Sequence, residues 1–119
     1  MTKYLLICSN ATQDEDNELS LYTKGIGFYD TVAEAREAAV NDLHRMVEEQ
    51  ATDTYDPETE EDDYNWYIED YLSNMNVYNN LTEGDFFAGR LPFSNIVLEH
   101  CYASDYWQEI NTYTIIKIA

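Results

Sequence analysis

The sequence predicts an α+β fold: an antiparallel sheet with two main helices packed on one face, in the order β-β-α-α-β-β. Three observations carry this reading. Apolar, β-branched and aromatic runs stand at both ends of the chain. Two stretches of helical periodicity lie between them. Polar or glycine-bearing segments punctuate the joins. The 119 residues fit a single domain, 1–119, with an acidic loop or arm at about 51–63.

Taken in order, Lys3 to Ser9 reads as a buried strand, and Asn10 to Glu18 as an acidic, polar loop. Leu19 to Phe28 alternates in part and contains Gly25 and Gly27, the mark of a second strand bent or bulged at the glycines. The two strands form an N-terminal antiparallel hairpin. Thr31-Val-Ala-Glu34 is a capping box, in which the threonine hydroxyl accepts from the Glu34 amide. Val32, Ala35, Ala39, Leu43 and Met46 then follow on one helical stripe, which predicts a helix from Val32 to about Gln50. Pro57 interrupts the biased segment Ala51 to Asp63, which reads as a loop or short extended arm. A second helix starts at Asp62 or Asp63, where carboxylates favour the positive end of the helix dipole. It carries Tyr64, Tyr67, Ile68, Tyr71, Leu72 and Met75 on its inner stripe. Leu81 to Phe93 is a loop or short helical turn. The chain returns to strand over Asn95 to Tyr102 and Ile110 to Ile118, with Tyr106 and Trp107 at the connection.

Composition narrows the function. Twenty-four Asp and Glu face 6 Lys and Arg, a formal net charge of -18. Without a basic footprint, direct binding to DNA, RNA or an anionic membrane is not expected. Disorder is not expected either. Ile, Leu, Val and Phe total 26 residues, and 11 Tyr and 2 Trp add large surfaces for a small core. A compact domain of this length is roughly 35 Å across. Its net charge then amounts to about one per 2 Å, near the one per ~1.7 Å of duplex DNA.

The N-terminal run shows no signal-peptide pattern, and no apolar stretch approaches the ~20 residues of a membrane span. Cys8 and Cys101 lie in strand-like apolar runs, where free cysteine acts as a small hydrophobe. The expected compartment is the cytoplasm.

Catalysis and metal binding find little support. His44 and His100 sit in no catalytic motif, and His100 and Cys101, adjacent on a strand, point to opposite faces. Asp14-x-Asp16-x-Glu18 starts like a calcium loop, but Leu19 stands at position six and Gly25 at position twelve. Asp53-x-x-Asp56 fails in the same way, with Glu58 at position six. The expectation is a protein that is not an enzyme, with no cofactor and no metal.

The charge is unevenly placed. Between Arg45 and Arg90 run 44 residues without Lys or Arg, and thirteen acids fall among them. Such one-sign segregation costs repulsion and points either to disorder or to a positively charged partner. Carboxylates one helical turn apart, or successive along an extended arm, can meet Lys and Arg that grip phosphate, and carboxylate matches Arg bidentately as phosphate does. The candidate contact residues are Asp53, Asp56, Glu58, Glu60, Glu61, Asp62, Asp63, Glu69 and Asp70. Trp66, off the tyrosine stripe, is the candidate exposed anchor. Asp14, Glu15 and Asp16 form a possible second patch if the fold brings that loop alongside. The plain alternative is that residues 52–62 are a solvated linker.

This combination of short length, extreme acidity, carboxylates interleaved with Tyr55, Tyr64, Trp66, Tyr67, Tyr71 and Tyr78, and no catalytic motif resembles the phage-encoded acidic DNA-mimic inhibitors, the anti-CRISPR and anti-restriction proteins. The resemblance is one of class and composition. It implies a stoichiometric inhibitor that occupies the nucleic-acid-binding groove of a host defence nuclease, a Cas effector such as Cas9 or a restriction enzyme, in the host cytoplasm. Two alternatives share the composition. One is an antitoxin or immunity-type protein that neutralises a basic nuclease. The other is a small acidic adaptor whose charge serves solubility.

Overall fold

The computed structural model describes residues 3–81 and 94–118. Strands β1 (Lys3–Asp14) and β2 (Leu19–Tyr29) form the N-terminal hairpin. Helices α1 (Val32–Thr54) and α2 (Glu61–Tyr71) follow, then β3 (Met75–Val77), β4 (Ser94–Ala103) and β5 (Trp107–Ile118). The strands make one antiparallel sheet in the order β2-β1-β5-β4-β3. The architecture is α+β, with a third, short strand after the helices that the sequence reading lacks.

β1 extends to Asp14 rather than stopping at Ser9. Its polar half is strand because Asn10 to Gln13 pair on both sides, with β2 and with β5, and Asp14 pairs with β5, which satisfies the backbone groups. The loop shrinks to the turn after Asp14. There the Asp14 carboxylate accepts from the amides of Asp16 and Glu18 at 3.0 Å each. Asn17 takes the left-handed conformation (φ 62°) that closes such hairpins and that Asn tolerates. The glycine bulge is where the sequence places it: the register slips between Leu6 and Ile7, opposite Gly27 and Gly25, so that Ile26 is left over.

α1 starts as expected. Thr31 Oγ1 accepts from the Glu34 amide at 3.1 Å, and Glu34 reaches back to the amide of Asp30. It runs one turn beyond Gln50, to Thr54. Its buried stripe is Val32, Ala35, Ala39, Leu43, Val47 and Ala51, so Val47 takes the place expected of Met46. Six positions at steps of three and four keep one face of a 23-residue helix on the sheet, and small alanines let it approach closely. Residues 55–60 are a compact turn rather than an extended arm: Tyr55 donates to the Ala51 carbonyl and Glu60 to that of Asp56. α2 begins at Glu61 and ends at Tyr71. Met75, expected on the helix, is the first residue of β3, and the Asn74 carbonyl accepts from the amide of Cys101. The segment expected as a loop over Leu81 to Phe93 lies, apart from Leu81, outside the described residues.

The alternation of the long strands divides the sheet into two faces. Tyr4, Leu6, Cys8, Leu98, Tyr113 and Ile115 point inward and are buried under α1. α2 packs against α1, and Tyr71 stacks on Tyr102 of β4, ring centroids 4.3 Å apart. Residues of the opposite parity, among them Leu19, Leu21, Phe28 and Ile110, are exposed. The long strands make the molecule more extended than a sphere, 50 × 33 × 21 Å. Spread along the 50 Å axis, the net charge comes to about one per 3 Å, a lower linear density than duplex DNA.

Candidate acidic interface

The last turns of α1, the turn at 55–60 and α2 lie beside one another, and together they carry the acid-rich stretch. Asp53, Asp56, Glu58, Glu60, Glu61, Asp62, Asp63 and Glu69 are all exposed. On α2, Asp62, Asn65, Trp66 and Glu69 fall at i, i+3, i+4 and i+7, so they share an outer face. Trp66, 60% exposed, stands among acids rather than in the core. Asp70 differs from the rest: it is half-buried beside Tyr102, whose pKa is raised by burial and by that carboxylate.

Three acids at the N-terminus of α2 sit at the positive end of the dipole, which offsets part of their repulsion. The turn before it is held by acids as well. Asp56 Oδ1 accepts from the Glu58 amide at 2.9 Å, and Glu60 Oε1 from the Asp56 amide at 3.2 Å. The structure also gathers acids outside the expected set. Glu48 and Glu49 line a shallow hollow with Asp53 and Tyr64, where α1 meets α2. Their signal in the sequence is the spacing from Glu49 to Asp53, one helical turn.

One cation, Arg45, lines the same hollow. Arg45 donates to Asp42 at 2.9 Å and to Glu49 at 2.8 Å. These two hydrogen bonds raise its pKa further. Lys3 pairs with Asp30, Lys24 lies 3.9 Å from Asp42, and Arg36 donates to the carbonyls of Tyr78 and Leu81. Among the described residues, no ion pair reaches the acids from Asp53 to Asp70.

The tyrosine stripe is structural. Tyr67 meets Tyr55 edge-on (6.1 Å) and stacks on Tyr71 (5.7 Å), which stacks in turn on His100 and Tyr102. These rings anchor α2 and leave Trp66 as the outward aromatic. The second patch sits at the end of the sheet where both long hairpins turn. Asp14 and Glu15 share a hollow with Asp105, Tyr106 and Trp107. Trp107 also lines a groove with Gln50 and Tyr67, so this end of the sheet adjoins the end of α1 and α2. Tyr106 (69% exposed) and Trp107 are aromatic neighbours of the patch that the sequence marks only as a connection.

Beneath the helices runs a buried polar ladder that strand alternation alone does not reveal. Asn10 Nδ2 donates to Glu109 Oε1 at 2.9 Å and to Asn111 Oδ1 at 2.7 Å. Asn111 Nδ2 donates to His100 Nδ1 at 3.2 Å, which makes His100 Nε2 the donor to the Tyr71 carbonyl, 2.5 Å away. This is a neutral imidazole, and burial lowers its pKa. His100 therefore fastens the end of α2 to the sheet. Burial raises the pKa of Glu109, against the opposing effect of the Asn10 hydrogen bond, and its Oε2 has no partner among the described residues. A half-buried contact joins α1 to β5. Tyr113 donates to Asp42 Oδ2 at 2.6 Å. Burial opposes the charge on Asp42, but this bond and that from Arg45 outweigh it, and its carboxyl sits below the ordinary value.

The chain matches no protein-family model, and neither the curated proteins nor the solved structures hold a match to it.

Proposed function

We propose that the protein is a non-enzymatic inhibitor that presents nucleic-acid-like charge to the basic groove of a host defence nuclease, a Cas effector or a restriction enzyme, in the cytoplasm of the host cell. The observation that carries this reading is the run of exposed acids from Asp53 to Glu69 beside exposed Trp66, to which no ion pair reaches among the described residues. Glu49 and Asp53 stand one turn apart on α1, roughly 5–6 Å at Cβ, and Asp62 and Glu69 stand two turns apart on one side of α2. Arginines that grip phosphate bidentately accept carboxylate in the same way. Trp66 supplies a flat apolar face on which a guanidinium stacks. Because α2 packs against α1, the acids at the end of α1 lie beside those of α2. The patch at Asp14, Glu15 and Asp16 extends the contact toward the hairpin end.

The test is displacement of DNA from purified Cas effectors and restriction enzymes in a gel shift. The protein is expected to displace DNA stoichiometrically, with affinity falling as salt rises. Reversing four charges, Glu60→Lys, Glu61→Lys, Asp62→Lys and Asp63→Lys, is expected to weaken binding by at least about 100-fold, ~2.7 kcal/mol, while circular dichroism stays unchanged. No displacement from either class of enzyme at physiological salt, or full activity of the four-site variant, overturns the reading.

A further inference from the structure

We infer that the open face of the sheet is a self-association surface that takes a second copy of this chain. The inference stands on the strands alone and does not rest on the inhibitor reading.

Pairing fixes which residues share that face. Ala11 stands between Leu21 of β2 and Ile110 of β5, and Ile110 stands beside Cys101 of β4. Leu19 and Leu21 are 70% and 77% exposed, and Phe28, Ile110 and Ile96 lie on the same side. Between them runs a hydroxyl row, Thr23, Ser9 and Thr112, in which Ser9 and Thr23 lie 3.3 Å apart. No helix crosses this side among the described residues, so its large apolar groups meet water.

Charge then selects the occupant. In a chain of net charge -18, carboxylates are nearly absent from this face. Among the described residues, the register places on it only Glu99, in the row that begins with Ser9, and Lys3 at one end, paired with Asp30. The acids instead occupy the helices and the turns. A cationic partner is drawn to those surfaces. A second copy that stacks sheet on sheet meets almost no like charge here, and its acidic helices point away on the far side, beyond the ~8 Å over which charge acts at physiological salt.

The size fits as well. Four long strands at about 4.8 Å spacing, each about eleven residues of ~3.3 Å, present roughly 700 Å². A standard interface uses about 800 Å² per partner. The face also has relief. Two hollows of about 290 and 450 Å³ flank the line from Ala11 to Ile110, the first beside Leu19 and Cys101, the second beside Leu21 and Thr23. In an isologous pair, the projecting Leu21 and Ile110 of each copy can seat in the hollows of the other. The product is a two-sheet sandwich, helices outermost, its sheets ~10 Å apart.

Sedimentation equilibrium of the full chain across a wide concentration range, at low and high salt, tests the inference. The expected mass at high concentration is twice 13.9 kDa. Association is expected to tighten with salt, because screening removes self-repulsion, whereas binding to a basic groove weakens. The double variant Leu21→Glu, Ile110→Glu is expected to sediment as a single chain with unchanged circular dichroism. A milder Leu21→Ser, Ile110→Thr variant is expected to weaken association without introducing charge. Alkylation of Cys101, exposed on this face, is expected to slow as wild-type concentration rises. A wild-type monomer at all concentrations overturns the inference. So does association that weakens with salt, or a dimer that survives both variants, since pairing would then use another surface such as the edge strand β2. The four lysine substitutions on α2 and the preceding turn are expected to leave the dimer intact. A chain that dimerises but displaces no DNA therefore loses only the proposed function, and a monomer that displaces DNA loses only this inference.

Discussion

The covered face of the sheet holds Leu6, Leu98, His100, Asn111, Tyr113 and Ile115 fully buried, while the open face, on the same strands, leaves Leu19, Leu21 and Phe28 at 62% exposure or more. Both faces mix apolar and polar side chains. The difference is that α1 brings its single apolar stripe to one side only. Under that stripe, polar groups such as Asn10 and Asn111 survive burial by bonding to each other. On the other side, hydroxyls need no partner because water serves them, and leucines gain little until something covers them. The sheet thus separates a stability face from an association face, and the acids are partitioned with the helices.

The largest expected effect compares one truncation on each face. Tyr71→Ala removes the ring that stacks on Tyr102 and His100, and by analogy with other buried aromatics it costs about 3–5 kcal/mol. Leu21→Ala on the open face is expected to change monomer stability by no more than about 0.5 kcal/mol. Urea unfolding at concentrations where the chain is monomeric measures both, and equal costs would break the comparison.

Tyr113→Phe comes next, at about 1–3 kcal/mol, because it takes a donor from half-buried Asp42. The Asp42 pKa is lowered in the folded chain. Its contribution is present above the ordinary value of 3.8 and is lost as pH falls through the lower folded value. The gap between wild type and variant should therefore narrow in acid, and unfolding curves at neutral pH and near pH 3 check it.

Glu109→Gln is expected to give the smallest change, defined by its sign. The folded pKa of Glu109 is raised above its ordinary 4.5, so its contribution is full below that value and declines as pH rises through the folded one. Glutamine does not ionise, so the variant should gain on wild type as pH rises from 4 to 8. His100 slopes the other way: with its folded pKa lowered, its neutral ladder is secure above the ordinary 6.5 and weakens as pH falls. A melting-temperature series on both proteins separates the two. If Glu109→Gln were less stable than wild type by a constant amount at all pH values, the carboxylate would be serving as a bonded group rather than a buried acid.

Much of the fold was legible because its signals are local. The capping box at Thr31, the alanine-rich stripe of α1 and the glycine bulge in β2 are each written within a few neighbouring residues. The errors share a cause. Asn10 to Asp14 looked like loop because polar residues are depleted in strands, but two flanking strands satisfy that backbone. Met75 fitted the helical stripe of α2, yet pairing with His100 draws it into β3. The acids of the candidate interface were visible as a run. That Asp70 turns toward Tyr102, or that Tyr64 closes a hollow with Glu48, Glu49 and Asp53, depends on how α2 lies along α1.

By itself the sequence determined a chain of -18 with an acidic middle, enough aromatic surface to fold, strands at both ends and a helix that starts at Thr31. Composition and short-range periodicity carry that much, because each depends on residues near one another along the chain. Tertiary structure alone decided which side of the sheet is sealed. Leu5, Leu6 and Ile7 form one unbroken apolar run, and nothing within it marks Leu6 as core and its neighbours as half-exposed. That choice depends on where one helix comes to rest across strands more than a hundred residues apart in sequence, as Asn10 and Asn111 are. The same placement assembles the buried polar ladder and leaves the opposite face open.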